Sequence, residues 1–425
     1  MGVENNIAEG WGKYSIGDFG KIITGKTPSK NNPEDWGDKI DFITPSDIPN
    51  NLKVISNCAR KLSEQGENRF NRMILPSGSV IVTCIGSDMG KVVMNKNKSL
   101  TNQQINSIII NDTYSNEFIY YLLKRSHKVL RRAGEGSGST MPLLNKSHFE
   151  SLSFEIPPLP EQKAIAKVLT AFDDKIELLQ AQNKTLETMA QTIFKEWFGK
   201  YQIGDELPEG WRVGEFGEVI EFINGYAFKS KDLSKEPIDN AYKVFKMGDI
   251  NKGGGFKPGK TKGYYPKSMS TKLNKYILKN GDLLMSMTDM KDAISLLGHT
   301  ALMIYEDEYI VNQRVGLIRV KNDLNIEYPY LYLLTNNDDF IAGIRAGANS
   351  GVQVNLSTQG IKETEFIIAD KETNKAFNNV VMPLFEKRKA NSQMIKKLKK
   401  TRDTLLPKLM SGQVRVNNIK QTANA

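Results

Sequence analysis

The 425-residue chain is 39% hydrophobic and 25% charged, an ordinary balance for folded globular domains, and its length suggests two or three of them. No run of 18 apolar residues occurs, which excludes a spanning helix. The N-terminal stretch has neither the basic nor the apolar region of a secretory signal, so the cytoplasm is the expected compartment. Two cysteines (Cys58, Cys84) and three scattered histidines (His127, His148, His299) exclude a disulfide framework and a histidine-rich metal centre, while 58 Lys+Arg against 48 Asp+Glu, a net +10, suits a polyanionic partner such as nucleic acid.

In chain order, the first landmark is Glu9-Gly10-Trp11, with Trp11 read as a core anchor. Gly17-Asp18-Phe19-Gly20, Ile23-Thr24-Gly25 and Ser46-Asp47-Ile48 follow. The β-branched runs at 79–86 and 105–112, flanked by Gly, Asn and Asp, predict strands. A helix is predicted over 116–132, then a Gly/Ser-rich turn at 134–140. Pro157-Pro158-Leu159-Pro160 opens a long helix, since proline at a first turn removes only an N–H that has no helical partner. Its apolar residues Ile165, Leu169, Phe172, Ile176, Leu179, Leu186, Ala190, Ile193 and Trp197, with Asn183 among them, alternate at four and three, an a/d seam ended near Gly199. Asn183 suits a register-fixing polar residue, or one tolerated near solvent.

The same order then recurs. Glu209-Gly210-Trp211 repeats the opening, with Trp211 again an anchor, and Gly214-Glu215-Phe216-Gly217 echoes 17–20. Ile223-Asn224-Gly225 echoes 23–25, and Gly248-Asp249-Ile250 echoes 46–48. Residues 278–285 match 75–82, residues 311–320 match 101–110, Arg345-Ala346-Gly347 matches Arg132-Ala133-Gly134, and 349–357 matches 136–144. Eight matches in one order mean a tandem duplication, with drifting offsets of the kind loop insertions produce. The strand at 315–320 and a helix over 330–345 complete the second copy. A second long helix is expected over 371–410, with seam residues Leu384, Asn391, Ile395, Leu398, Leu405 and Leu409, interruptions at Arg388 and Arg402, and a kink near Pro407. Lys396, Lys397, Lys399 and Lys400 form either a solvated face or a contact to phosphate or a partner. Two such stripes in one chain should cover each other. The expected fold is α+β: two similar mixed α/β domains separated by two long helices that pair as an antiparallel coiled coil about a pseudo-twofold axis. A helix of about 39 residues is about 58 Å long.

Catalytic motifs are missing. There is no phosphate-binding G-x-x-x-x-G-K-[ST], no Pro-Pro-aromatic tetrad of an adenine methyltransferase and no G-x-S-x-G elbow. The only Pro-Pro, at 157–158, is a helix-entry break.

With the repeat order, the segment at 156–169 opening the central helix and the segment at 401–416 closing the distal one, the chain resembles the specificity subunits of type I restriction–modification systems. The Glu-Gly-Trp starts and the Gly/Ser turns fit their target recognition domains. Residues 370–377 depart from the usual Pro-x-x-x-Gln helix entry. The resemblance implies a first target recognition domain over 1–156, a central helix over 157–200, a second domain over 201–369, a distal helix over 370–416 and a tail over 417–425. It implies that each domain reads one half of a bipartite, asymmetric DNA site. The helices would set the gap and dock two methyltransferase subunits, with restriction/translocase subunits added. S-adenosylmethionine, ATP and Mg belong to those partners; this chain would hold no cofactor, no metal and no catalytic residue. Two alternatives stay open: a methyltransferase or nuclease with an unrecognised site, and a coiled-coil scaffold that binds only protein.

Under that resemblance, phosphates would be met by Lys26, Lys30, Lys91 and Arg132 in the first domain, and by Lys246, Lys257, Lys260, Lys262, Lys291 and Arg345 in the second. Base edges suit Gln103, Gln104, Gln313 and Arg314, beside Asn102 and Asn312, or these groups bond only to the local backbone. Ser137, Ser139 and Thr140, and Asn349, Ser350 and Gln353, sit in the Gly/Ser turns, where small residues let backbone approach phosphate or simply make a flexible turn. Tyr264, in a Gly/Lys-rich loop, is a further candidate.

Overall fold

The computed structural model describes residues 9–49, 52–56, 58–135, 142–257, 263–290, 294–350 and 353–416. The chain divides into two compact units, one of Met1–Leu179 with Met394–Ala425 and one of Gln180–Gln393. Each long helix is therefore shared between the units rather than standing apart as its own segment.

Unit 1 holds β1 (Gly12–Ser15), β2 (Gly20–Thr24), β3 (Trp36–Gly37), β4 (Ile40–Ile43), β5 (Val54–Ile55), β6 (Arg60–Leu62), α1 (Glu64–Arg69), β7 (Val80–Thr83), β8 (Val92–Asn95), β9 (Ser99–Thr101) and β10 (Ile105–Ile110). After these come α2 (Asn116–Arg125), α3 (His127–Glu135), α4 (Lys146–Ser151), β11 (Ser153–Ile156) and the first part of α5 (Leu159–Phe198). The main sheet has the order β2-β10-β7-β8-β5. A second sheet runs β3-β6-β4-β9, and β1 pairs with β11. Both faces of the main sheet are covered. Val80, Val82, Val92 and Met94 join the helical core, while Ile81 and Val93, between them in sequence, join a separate cluster with Ile23 and Ile105. Side chains that alternate across a strand, with both faces buried, account for the unbroken apolar runs.

Unit 2 repeats the plan. It holds the rest of α5, then β12 (Arg212–Glu215), α6 (Phe216–Val219), β13 (Ile220–Asn224), β14 (Ala241–Phe245), β15 (Tyr264–Pro266), β16 (Leu283–Ser286), β17 (Thr288–Met290), β18 (Thr300–Leu302), β19 (Tyr309–Val311) and β20 (Val315–Val320). Then follow α7 (Tyr328–Leu334), α8 (Asp338–Ala346), β21 (Asn349–Ser350), β22 (Gln353–Asn355), α9 (Thr358–Lys362), β23 (Glu365–Ile368) and α10 (Lys371–Leu409), whose last part belongs to unit 1. Its sheets β13-β20-β16-β18, β15-β14-β19 and β12-β23 repeat those of unit 1 without counterparts of the edge strands β5 and β3, and β17-β22-β21 forms a further three-stranded sheet. The turns before β7 and β16 both need a left-handed glycine, Gly78 at φ +80° and Gly281 at φ +91°.

The structure corrects several expectations. The stretch 116–132 is two helices, α2 and α3. They break at Ser126, whose hydroxyl donates back to the Leu122 carbonyl at 2.7 Å. Its counterpart breaks at Asn336-Asn337, where the Asn337 side chain caps α8. Gly17-Asp18-Phe19-Gly20 is not the structural partner of 214–217. Instead Ile16–Phe19 stands where Phe216–Val219 does. In each copy a carboxylate accepts the backbone N–H three residues before it, Asp18 from Ser15 at 2.7 Å and Glu218 from Glu215 at 2.8 Å. The Ser15 side chain and N–H hold the Asp18 carboxyl below its ordinary range. The repeated Asp47 and Asp249 likewise accept the backbone N–H groups of Thr44 and Lys246, both at 2.8 Å, so both acids fix turns.

α10 begins where expected despite its unusual entry. The Asp370 carboxylate caps it by accepting from the N–H groups of Glu372 and Thr373, both at 2.9 Å. Asn374 takes the place that Gln162 has in α5. Both side chains are buried, and each amide donates to the carbonyl just before its helix, Gln162 to Pro157 and Asn374 to Ala369. The helix continues through Pro407 to Leu409.

The helices pair antiparallel within each unit. In unit 1, Ile165 and Leu169 share a core with Leu409, Leu405 packs against it, and further along α5 Asp173 pairs with Arg402, earlier along α10. In unit 2, Asn183 donates to Ser392 at 3.0 Å, Glu187 pairs with Arg388 at 3.0 Å, and the Phe194 and Phe377 rings lie 6.0 Å apart. Phe172, Ile176, Leu179, Leu186, Ile193, Trp197, Leu384, Ile395 and Leu398 are buried or half-buried, as the seam requires. Asn183 and Asn391 are both bonded across it, the latter to Gln182 at 3.4 Å. Arg388 and Arg402 do not interrupt the pairing, because each has a carboxylate on α5 facing it. At the α5 C-terminus the deeper side chains are Phe194 and Phe198 rather than Ile193 and Trp197. The 3.6-residue helix has drifted off the 3.5-residue repeat by then.

Candidate nucleic-acid interface

In each unit the repeated motifs come together at one end of the main sheet. β2 ends at Thr24, whose hydroxyl donates to Asn106 at the start of β10 at 2.7 Å. The Asn106 amide reaches the Leu144 carbonyl at 3.4 Å, and Leu144 N–H donates to Cys84, just past β7, at 2.9 Å. Four chain segments that are distant in sequence are thus tied at the same sheet end. Gly25 lies against the following loop so closely that a Cβ there would be 2.2 Å from the Thr101 carbonyl oxygen and 2.3 Å from that of Asn102. Beyond it, Lys26 N–H donates to Thr101, and the Thr27 hydroxyl donates to the exposed Gln103 at 2.8 Å.

Unit 2 repeats this junction with different side chains. Gly225 abuts Asn312, with a Cβ position 2.0 Å from its carbonyl oxygen. The Gln313 N–H donates to the Tyr226 carbonyl at 2.8 Å, and Met287 N–H donates to that of Arg314 at 3.1 Å. Asn224 and Thr358 join by their side chains at 3.0 Å. Arg314 is exposed and held at φ +68°. An arginine in the left-handed region is uncommon, and such residues gather at functional sites. Gly225→Ala should therefore cost about 2 kcal/mol of stability, because the obstacle is backbone that cannot rotate away. Gly347→Ala, where the nearest atom lies 3.9 Å away, is the control. Equal melting temperatures for the two variants would show that the loops are not tightly apposed.

The sequence candidates divide on this frame. Lys26, Lys30, Gln103, Gln313 and Arg314 are exposed, Lys26, Gln103, Gln313 and Arg314 within or beside the junction loops. Gln104 and Asn102 bond to each other at 3.1 Å and shape the loop. Lys91 is half-buried, donating to the Ile48 carbonyl at 3.1 Å and pairing with Asp88 at 3.0 Å. Arg345 donates to the Leu297 carbonyl at 3.0 Å, whereas Arg132 is exposed on α3. Lys246 is half-buried and Lys257 exposed. Tyr264 is not on an open loop: it is half-buried in β15, paired with β14. The backbone of Asn349, Ser350 and Gln353 lies in β21 and β22, and β22 pairs with β17 just past β16, at the same sheet end. Ser137, Ser139, Thr140, Lys260, Lys262 and Lys291 lie outside the described residues. Trp11 is buried in the core, and Trp211 donates to Asp370 at 3.0 Å. Among the described residues, no three His, Cys, Asp or Glu side chains gather to hold a metal ion, and no helix is long and apolar enough to cross a membrane.

Two copies of one α/β domain, each presenting the same junction of loops with different side chains, define a tandem recognition protein. The chain belongs to the family of the type I restriction modification DNA specificity domain, which matches residues 8–188 and 208–400. It is 28% identical to the type I restriction enzyme MjaIX specificity subunit of Methanocaldococcus jannaschii over 97% of this chain and 95% of that one. It is 36% identical to the HindI specificity subunit of Haemophilus influenzae, over 42% of this chain and 39% of that one. Its fold resembles the crystal structure of the S subunit of a type I restriction–modification system from M. genitalium, with TM-score 0.60 at 16% identity, covering 96% of this chain and 98% of that one.

Sequence reading missed two turns beside the junction, Asn71–Met73 and Asn274–Tyr276. The signal was there: the match of 75–82 with 278–285 extends upstream through Asn71-Arg72 and Asn274-Lys275.

Proposed function

We infer that this chain is the sequence-specific DNA-recognition subunit of a type I restriction–modification complex. Each unit reads one half of a bipartite, asymmetric site. The observation that carries this is the duplicated sheet-end junction, built on the same glycine and Asn-Gln frame but carrying Lys26, Thr27 and Gln104 in one copy and Tyr226, Ala227 and Arg314 in the other. One frame with different fillings suits two half-sites of different sequence. The chain itself is non-catalytic, and α5 and α10 set the gap between half-sites and dock two methyltransferase subunits. S-adenosylmethionine is held by those subunits, and ATP and Mg by restriction/translocase subunits. Lys26, Lys30, Arg132, Gln103, Gln313 and Arg314 are the described candidates best placed to meet DNA, with phosphate contacts fixing position and base contacts giving specificity.

The experiment is methylome sequencing of a host carrying this chain with its methyltransferase, against the same host with this chain deleted. A bipartite methylated-adenine motif that disappears on deletion is the expected result. An unchanged methylome, with both proteins expressed, would refute an address-reading role and favour a protein-only scaffold.

A further inference from the structure

Asn71 and Arg72 stand on a single 3-10 turn in unit 1, and Asn274 and Lys275 stand on its counterpart in unit 2. Both turns are closed alike, Met73 N–H to Phe70 at 2.8 Å and Tyr276 N–H to Leu273 at 2.9 Å. Leu75 and Leu278, fully buried, anchor the chain that follows. Arg72 and Lys275 are exposed, and among the described residues neither has an ion-pair partner. An asparagine followed by an exposed cation with no ion-pair partner recurs on the same turn in both copies, which leaves both groups open to a partner outside the chain.

What each turn faces differs. In unit 1, Asn71 and Arg72 line a cavity of about 520 Å³ with Lys26, Thr27 and Arg69. Arg69 is committed, bound to Glu34 at 3.0 Å and to the fully buried Asp35 at 3.2 Å, so it braces the wall. Thr27 joins the cavity to Gln103 of the sheet-end junction. In unit 2 the place of Lys26 is taken by Tyr226 and that of Met73 by Tyr276. Their rings lie 5.3 Å apart, and Lys275 Nζ sits 5.0 Å from the Tyr276 centroid. The same Asn-cation frame therefore borders a cationic, polar wall in one unit and an aromatic wall in the other.

We propose that these two turns are the base-reading elements of the two domains, and that Arg72 and Lys275 are their specificity-determining residues. This rests on the chain being a DNA-recognition subunit. Arg72, with its planar fork, donates to O6 and N7 of a guanine in the major groove. Lys275 donates as a single point beside an aromatic surface that suits the methyl edge of thymine. The two halves of the site differ because the walls differ while the frame does not.

The test uses the full chain with its modification subunit. Methylomes are read for the wild type, Arg72→Ala, Arg72→Lys and Lys275→Ala. Arg72→Ala should relax one position of one half-site, with discrimination down about tenfold or more, leaving the other half-site and the gap intact. Lys275→Ala should relax the other half-site instead. Absence of any bipartite motif with the wild-type chain would remove the underlying reading and this proposal with it. A wild-type motif that persists unchanged in both alanine variants overturns only the proposal. Where a variant abolishes methylation, the purified complex is used to select from randomised duplexes. Recovery of the wild-type motif at lower affinity, with a salt slope smaller by about one, would assign that residue to a phosphate and overturn its reading role. Recovery of a relaxed half-site supports it.

Discussion

Phe377→Ala is expected to destabilise unit 2 by about 3–5 kcal/mol, among the largest losses for any single truncation in the chain. Phe377 is fully buried on the first turns of α10. Its ring centroid lies 4.9 Å from that of Phe198, 5.7 Å from Trp197, 5.9 Å from Tyr330 and 6.0 Å from Phe194. These rings come from α5, α7 and α10, so one side chain holds three elements at once. Edge-on aromatic pairs add to the area they bury, and the cavity left by alanine could not close around such rigid neighbours. The measurement is hydrogen exchange of peptides from α5, α7 and α10, which reports unit 2 separately from unit 1. Phe377→Leu should lose much less. A loss below about 1 kcal/mol for Phe377→Ala would show that this cluster is not the core of the unit.

Arg402→Ala should cost unit 1 about 3 kcal/mol, because it leaves a carboxylate in the helix seam without its countercharge. The Asp173 side chain is only 10% exposed and that of Arg402 only 18%, so solvent screens the pair weakly. Asp173 also accepts from the Tyr121 hydroxyl at 2.7 Å, and burial with that carboxylate beside it pushes the Tyr121 ionisation upward, keeping it a donor. The double variant Asp173→Leu, Arg402→Met should recover part of the loss, since an apolar pair replaces a desolvated ionic one while the Tyr121 hydroxyl loses its acceptor. Thermal unfolding of Asp173→Leu, Arg402→Met and the double variant decides it. A coupling energy under about 0.5 kcal/mol would put this pair with exposed surface bridges. In unit 2, Glu187 and Arg388 make the matching pair, again with the acid on α5 and the arginine on α10. That polarity favours α5 pairing with α10 over either helix pairing with a copy of itself.

The chain's primary sequence determined the duplication, because repeated residues in a fixed order need no folding to be seen. It also determined both long helices, since helical apolar spacing over residues 165–197 and 384–409 has no other good solution than a buried helical stripe. The buried strands β7, β10 and β20 were legible as β-branched runs bounded by turn residues. What only the tertiary structure decided was which charged and polar groups are committed. Lys91 and Arg345 look like phosphate ligands in the sequence, yet one is tied to Ile48 and Asp88 and the other to Leu297, partners set by chain segments far away. Arg388 and Arg402 look like faults in a seam until the facing helix supplies Glu187 and Asp173. The junction of Gly25 with Asn102, and of Gly225 with Asn312, joins motifs nearly eighty or ninety residues apart, and no local pattern encodes that contact. Periodicity reports which face of an element is apolar; it is silent about which polar group waits on the other side. Arg72 and Lys275 stand out only once the fold sets them on matching turns beside the junction loops, while Arg69 next to Arg72 is tied to Glu34 and Asp35.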